Sequence, residues 1–244
     1  MKGLRLDPIE AAKQVVSKHF PNCQGAILAG SVIRGEATET SDLDIVVFDD
    51  QLNFSYRESF IDFGWNIEAF AHNFTSYQSF FIGDAERARP SMPRMVSEGL
   101  ILKDDGTGRI DAIKKEARLI MEKGPEKWPE ETITVKRYFL TDALDDFKGC
   151  TNRGEEIFIA NTLAELANEF YSRTNGQWLG VSKWVIRSLN HFDPQFTACF
   201  VEAFDTFYKT GEKSKIIQLV ETVLEPYGGP LFTGFSLGKS EATA

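Results

Sequence analysis

The apolar pattern of this 244-residue chain changes at one place, and that change limits the architectures open to it. Before Gly124-Pro125, short β-branched segments alternate with amphipathic helical segments. After Trp128-Pro129, apolar residues recur at helical spacing almost throughout. Glycine and proline punctuate secondary structure, so these two dipeptides are the strongest boundary signal in the chain. We therefore expect an α+β fold in two domains: residues 1–125 with a mixed sheet, then residues 126–244 as an α-helical bundle.

The expected elements follow from the same periodicities. Strand character is found at 25–29, 43–48, in two segments of 56–71 separated at Gly64-Trp65, and at 101–103. Helical spacing is found at 7–20, 75–98, 108–122, 131–148, 155–172, 181–189, 195–209 and 213–226, before an irregular tail over 228–244.

Charge and composition narrow the classes of partner. The net charge is −9, from 27 basic and 36 acidic residues, whereas proteins that grip long nucleic acids present basic surfaces. We therefore do not expect nucleic acid as a partner, and the charge suits a small or cationic one. No apolar run approaches the ~20 residues of a membrane span, and residues 1–5 lack a signal-peptide core. Three dispersed cysteines indicate reduced thiols, so we expect a cytoplasmic protein that has no membrane partner.

One acid lies within the apolar segment 43–48, and a second directly precedes this segment. Asp42 and Asp44 are two positions apart, so both side chains point to one face of the strand with Cα atoms roughly 7 Å apart. Removing so much negative charge from water is costly unless a cation compensates it. Carboxylate and phosphate oxygens are the ligands that Mg²⁺ prefers, and two such ions can act on an attacking hydroxyl and a leaving pyrophosphate together. Asp42 and Asp44 are therefore predicted as metal-binding, catalytic residues.

The strand that precedes them ends in Gly30-Ser31. A strand ending this way before a helical turn exposes backbone N–H groups and a hydroxyl that can bind triphosphate oxygens. Arg34, one turn further on, can add positive charge, and Ser41 directly precedes the acidic pair. These four residues are predicted to bind the nucleotide. Gly-Ser on its own is also compatible with a plain tight turn.

Together, Gly30-Ser31 and Asp42-Leu43-Asp44 resemble the signature of the polymerase-β-like nucleotidyltransferase superfamily. In that superfamily an apolar-Gly-Gly/Ser motif is followed, roughly ten residues later, by Asp-x-Asp/Glu between apolar residues. Gly30-Ser31 is not part of a Walker loop, because no Gly-Lys-Ser/Thr follows it. The helical second half makes the chain similar to bacterial antibiotic nucleotidyltransferases of the aminoglycoside and lincosamide kind. The close match covers residues 28–48 and extends more loosely to residue 71.

The resemblance implies a third carboxylate on an adjacent antiparallel strand. Glu68 is the candidate, because it is an acid on the polar face of an otherwise apolar strand. Asp62, one strand earlier, is the rival, and a solvated sheet face remains an alternative for Glu68. Glu68 would be a metal ligand or the base that deprotonates the acceptor. His72, which follows the same strand, is expected at the surface, with a position at the edge of the cleft as the alternative.

The resemblance also implies that a lysine of the second domain reaches the triphosphate. Lys183 is the candidate, and Arg187 projects from the same helix face four residues later. A solvated basic face is the alternative for both. A further helix face carries acids that are either solvated or available to a cationic acceptor; they are Asp142, Asp145 and Asp146.

The predicted function is nucleotidyl transfer with two Mg²⁺ ions, moving AMP from ATP onto a hydroxyl of a small, cationic acceptor and releasing pyrophosphate. ATP is the default donor, because no residue in the sequence selects a base. Transfer to a protein or an RNA end is the first alternative. The second is a nucleotide-binding sensor or antitoxin-like module without catalysis, against which the two intact acids argue.

Overall fold

The computed structural model describes residues 5–239, and the chain divides into two compact units between Gly124 and Pro125. Residues 1–4 of the N-terminal stretch and residues 240–244 of the predicted tail lie outside this range. None of the helices within 5–239 is both long enough and apolar enough to cross a membrane.

The first unit is built on a mixed five-stranded sheet with the strand order β3-β4-β2-β1-β5. Its elements are α1 (Pro8–His19), β1 (Gly25–Ala29), β2 (Leu43–Phe48), β3 (Tyr56–Asp62), β4 (Trp65–His72), α2 (Tyr77–Glu86), α3 (Ser91–Glu98), β5 (Leu100–Asp104) and α4 (Arg109–Lys123). The side chain of Asp7 caps α1 by accepting from the backbone N–H groups of Ile9 and Glu10.

One expectation about this sheet is wrong. The strand of Glu68 does lie beside β2, but β4 runs parallel to β2 and not antiparallel to it. The cause is the β3–β4 hairpin: β3 forms the sheet edge and is antiparallel to β4. Because β3 reverses the chain once and the hairpin reverses it again, β4 runs in the direction of β2 when it fills the position between β2 and β3.

The central strand β2 is buried on both faces. On one face its apolar residues join a core with α1, and the members from β2 are Leu43, Ile45 and Val47. On the other face Val46 and Phe48 join a second core that includes residues of α2, α3 and α4. Since side chains alternate along a strand, Asp44 lies on the face of Val46 and Phe48, at the beginning of the strand.

The second unit is helical, as the sequence predicts. Its elements are α5 (Glu130–Gly149), α6 (Arg153–Thr174), α7 (Lys183–Phe192), α8 (Pro194–Thr210), α9 (Ser214–Leu224) and a 3₁₀ turn (Glu225–Tyr227). Apolar residues recurring at helical spacing form a single buried cluster, with contributions from α5, α6, α7, α8 and α9. The α+β fold with a mixed sheet followed by a helical region is therefore confirmed.

Candidate active site

Strand pairing brings three carboxylates together at one end of the sheet. Asp44 lies opposite Ala29 of β1 on one side and opposite Glu68 of β4 on the other. Residues directly opposite one another on neighbouring strands project to the same face. One carboxylate oxygen from each of Asp42, Asp44 and Glu68 lies within 4.8 Å of the others, and all three residues are half-buried. The structure thus groups the three acids that the sequence analysis selected.

The electrostatics of this cluster are unfavourable without a cation. Burial raises the pKa of the Asp44 carboxyl to about 6, and the neighbouring charges of Asp42 and Glu68 contribute to this rise, against an opposing effect of Arg34 and Arg57. Desolvation and like charges both disfavour an ionised acid. A hard divalent cation with oxygen ligands removes both penalties, so the donor set fits Mg²⁺.

Arg57 is a functional candidate that the sequence analysis missed. Its Nη2 donates to Glu68 Oε1 at 2.5 Å, and its guanidinium lies 5.0 Å from the ring centre of Phe70. The β3–β4 register explains the contact. Arg57 lies opposite Phe70, and Phe70 is two residues after Glu68 on β4, so all three side chains are on the same face of the sheet. Alternation in the sequence assigns Arg57 a face, but the strand it neighbours depends on the register, which the sequence leaves open.

Gly30 packs directly against the carboxylate of Asp44. Its φ is +83°, a conformation that residues with a Cβ rarely adopt, and a Cβ there would collide with Asp44 Oδ2. The glycine is therefore required twice, by the backbone turn and by the carboxylate beside it. The segment that follows is a turn over residues 31–35 and not a regular helix, so Arg34 extends from a turn.

The predicted serines support the loop before Asp42. Ser31 is buried, and its Oγ donates to Ser41 Oγ at 3.0 Å, which in turn accepts from the backbone N–H of Thr38 at 2.8 Å. Arg5, not selected from the sequence, donates from Nη2 to the Ser41 carbonyl at 2.5 Å and stacks 3.5 Å from the ring centre of Trp65. The two serines therefore bond the ends of the loop to one another, and Arg5 connects Ser41 to Trp65 of β4. Contact of either serine with a nucleotide stays a prediction.

Arg34 lies with the acidic site, as its influence on the pKa of Asp44 shows. Its Nε is 3.1 Å from Glu36 Oε2, and its Nη1 is 3.6 Å from Glu98 Oε2. Glu98 is the last residue of α3, so this helix also reaches the site.

Asp62, the rival third acid, is engaged elsewhere. Its Oδ2 is 2.7 Å from Lys18 Nζ and 2.8 Å from His19 Nε2 of α1, and the hydrogen bonds from His19 and Lys18 lower its pKa to about 2. It lies at the hairpin end of β3, opposite Trp65. The expectation for His72 is wrong: the ring is buried against Phe48 and Phe80, because α2 covers the end of β4.

The predicted residues of the second unit lie on α7 and α5. Lys183 is the exposed first residue of α7, and the guanidinium of Arg187 lies 5.2 Å from the ring centre of Trp184. Asp142, Asp145 and Asp146 are exposed on α5. Their roles in binding nucleotide or acceptor stay predictions.

Comparison with known proteins gives a family match over part of the first unit. The family described as "Nucleotidyltransferase domain" matches residues 9–89, which include the Gly30 turn and all three acids. A solved structure of a nucleotidyltransferase-like protein from Exiguobacterium sibiricum is similar, with 16% identity and a TM-score of 0.44, over 90% of this chain and 75% of that one. None of the curated proteins matches the chain.

Proposed function

We propose that the chain is a nucleotidyltransferase that transfers AMP from ATP, with two Mg²⁺ ions, to a hydroxyl of a small cationic acceptor. The match of residues 9–89 to the nucleotidyltransferase domain family supports this proposal. The observation that carries the proposal is the convergence of Asp42, Asp44 and Glu68 beside Gly30. These three acids have the ligand chemistry of a magnesium site.

Asp42 and Asp44 would hold the metal, with Glu68 either as a third ligand or as the base. When bound there, divalent cations supply Lewis-acid stabilisation of phosphate oxygens and lower the pKa of an attacking hydroxyl. The parallel pairing of β2 with β4 holds Asp44 and Glu68 side by side on a sheet buried on both faces, so little reorganisation is needed on binding.

The Gly30 turn and Arg34 would receive the triphosphate. Gly30 has no side chain to separate the backbone from the phosphates, and the guanidinium of Arg34 adds positive charge next to the acids. The hydrogen bond between Ser31 and Ser41 fixes the loop between the turn and Asp42. Lys183 and Arg187 of α7 are proposed as further phosphate-binding residues.

The reaction exchanges one phosphorus–oxygen bond for another. The acceptor oxygen bonds to the α-phosphorus as the bond to the bridging oxygen breaks, and pyrophosphate leaves. The hydroxyl proton passes to a carboxylate base. Glu68 is either that base or a metal ligand, and measuring Mg²⁺ affinity beside turnover in Glu68→Gln separates these roles, because loss of a ligand weakens metal binding whereas loss of a base lowers the rate.

The acceptor class rests on charge. The chain carries a net charge of −9, and α5 exposes Asp142, Asp145 and Asp146. A negative surface raises the local concentration of a cation, and this benefit falls steeply with salt. Aminoglycoside-like and lincosamide-like compounds have the required hydroxyl and amine groups.

The test is pyrophosphate release from each nucleoside triphosphate with a panel of acceptors, at low and high ionic strength, with Asp44→Asn as the inactive control. Release with ATP and a cationic acceptor, weakened by salt, supports the proposal. Modification of a protein or an RNA end instead would replace the acceptor class. The absence of any turnover, together with nucleotide binding, would favour a non-catalytic module.

A further inference from the structure

The acids of the site belong to a row of side chains that crosses the sheet. Asp44 of β2 lies opposite Ala29 of β1 on one side and opposite Glu68 of β4 on the other. Glu68 in turn lies opposite Ser59 of the edge strand β3. Residues directly opposite one another project to the same face of a sheet. The row therefore leads from the strand that enters the Gly30 turn, past two acids, to the edge of the sheet.

The neighbouring positions on the same face extend this row into a surface. Asn66, two residues before Glu68 on β4, lies opposite Ile61 of β3. Since side chains alternate along a strand, Asn66 and Ile61 share the face of Glu68 and Ser59. Ser59, Ile61 and Asn66 are all exposed, and Ile61, at 78%, is the most exposed large apolar side chain among the described residues. The helices that cover the other end of β2 therefore leave this corner of the sheet open.

This open corner, formed by Ser59, Ile61 and Asn66, is neutral and offers both apolar and polar contacts. Within residues 5–239 no hydrogen bond engages the side chain of Ser59 or of Asn66, so a hydroxyl and an amide are available beside the isoleucine. One exposed isoleucine needs no ligand to explain it, and its position next to the acids is the informative feature. An apolar contact with a few adjacent hydrogen-bonding groups is the usual composition of a small-molecule site.

The direction of the reaction assigns this corner to one substrate. In transfer between phosphorus–oxygen bonds, the attacking and leaving oxygens lie roughly in line through the phosphorus. The proposed function places the leaving pyrophosphate at the Gly30 turn, on the β1 side of Asp44. The attacking oxygen then approaches from the opposite side of the acids, where the row reaches Glu68 and Ser59.

We propose that Ser59, Ile61 and Asn66 form the surface that binds the acceptor, with an apolar ring face of the acceptor on Ile61 and its polar groups at Ser59 and Asn66. The inference rests on the proposed function and narrows the acceptor class. The acceptor presents an uncharged ring face beside its reacting hydroxyl, and its cationic groups lie away from this surface, because the three side chains carry no charge. A hydroxyl held at Ser59 is next to Glu68, which lies directly opposite.

The experiment combines steady-state pyrophosphate release, with kanamycin and lincomycin as acceptors, and calorimetry of α,β-methylene-ATP with Mg²⁺. Ile61→Thr keeps a β-branched residue on the edge strand and removes apolar contact. It should raise the KM for the acceptor about threefold to tenfold and leave the KM for ATP within about twofold. Ser59→Phe fills the approach to Glu68 and should lower kcat/KM for the acceptor about tenfold or more, with binding of the ATP analogue retained.

Glu58→Gln is the matched control, because it changes an exposed residue on the opposite face of the same strand. It should have the kinetics of the wild type with both substrates. Retained binding of the ATP analogue also shows that each variant is folded, and Ile61→Thr alone decides the outcome if Ser59→Phe fails this check.

Two results would overturn the inference alone. Wild-type kinetics of the folded variants would show that the acceptor does not contact this surface. An equal rise in the KM for ATP and for the acceptor would assign the surface to the nucleotide. If the wild type itself releases no pyrophosphate with either acceptor, the proposed function fails and the inference falls with it, which is distinguishable because the first two results require an active wild type.

Discussion

Asp44 of β2 and Glu68 of β4 lie directly opposite one another in a parallel strand pair, so the hydrogen-bond ladder of the sheet sets their separation. Neighbouring strands are roughly 4.8 Å apart, which brings two same-face carboxylates within reach of one cation. Binding and catalytic residues are often placed on loops, whose geometry adapts. Here two of the three acids lie within strands, and the third, Asp42, directly precedes β2.

Asp42→Asn and Asp44→Asn should each abolish nucleotidyl transfer with the fold intact. Removal of one carboxylate ligand loses transition-state stabilisation of several kcal/mol, which corresponds to at least about a hundredfold in turnover. Pyrophosphate release at saturating Mg²⁺ measures the loss, and circular dichroism checks the fold. Near-normal turnover of either variant would show that these acids do not bind the catalytic metal.

Asp44→Asn should also make the metal-free protein more stable. The pKa of Asp44 is about 6 in the folded protein against an ordinary value of 3.8, so the native state binds the proton more tightly than the unfolded state. Stability from this group is therefore lost as the pH rises through 6, and the full cost is present at neutral pH. For a half-buried group the cost is about 1–3 kcal/mol.

Urea unfolding in EDTA measures this cost. Asp44→Asn should exceed the wild type in free energy of unfolding at pH 7.5, and the difference should disappear below about pH 4, where the carboxyl is protonated in both states. Added Mg²⁺ should reduce the difference at pH 7.5, because only the wild type gains the ion. Equal stability of the two proteins in EDTA at pH 7.5 would mean that the ionised Asp44 is not strained by its neighbours.

Glu68→Gln should cost far more activity than Asp62→Asn. Glu68 lies with the acidic pair, whereas Asp62 is held by Lys18 and His19 of α1. We expect a loss of about tenfold or more for the first variant and less than about threefold for the second. Turnover of the two isosteric variants under identical conditions is the measurement. A larger loss at Asp62 would assign the third carboxylate to the other strand.

Arg57→Gln should strengthen divalent metal binding in the absence of nucleotide. Arg57 donates to Glu68 and therefore competes with a cation for the same carboxylate. Its removal should tighten Mn²⁺ binding by about threefold to tenfold, and it should raise the pKa of Asp44, because Arg57 lowers that pKa in the wild type. Calorimetry with Mn²⁺ measures the first effect and NMR titration the second. Arg118→Gln, which changes an exposed arginine of α4, is the control. Weaker metal binding by Arg57→Gln alone would indicate that Arg57 orients Glu68 and does not compete.

His72 predicts a second pH dependence, with the opposite sign. Burial lowers its pKa to about 4 from 6.5, and its Nδ1 is hydrogen-bonded to Ser55 Oγ at 2.9 Å. Between these pH values the unfolded state binds the proton and the native state does not, so stability is full above about 6.5 and is lost as the pH falls. The loss is on the order of 3 kcal/mol by pH 4. The free energy of unfolding of His72→Gln should fall less steeply over this range than that of the wild type, and parallel curves would contradict the assignment.

Local sequence information predicted much of this site for identifiable reasons. The apolar strands β1 and β2, the turn at Gly30 and the same-face placement of Asp42 and Asp44 all follow from short-range periodicity. The family resemblance implied a third carboxylate, alternation within β4 favoured Glu68 over Asp62 for it, and the structure places Glu68 with the pair.

The remainder depends on strand order, which no short segment encodes. The parallel direction of β4 depends on where the β3–β4 hairpin joins the sheet, and the contact of Arg57 with Glu68 depends on the register within that hairpin. The contact of Glu98 with Arg34 depends on the packing of Gly99 on β1, a contact between segments about 70 residues apart in sequence. His72 was expected at the surface because a polar residue at a strand end usually is, and α2 covers it.

The burial of β2 on both faces has a consequence for how the enzyme loses activity under stress. Amide protons of a central strand exchange with solvent only through the largest openings of a domain, whereas turns and edge strands open at much lower free energy. Partial melting of the edge strand β3, which carries Arg57, should therefore release the guanidinium while Asp44 stays in register with β1. Mild denaturation would then break the hydrogen bond from Arg57 to Glu68 before it separates the three acids.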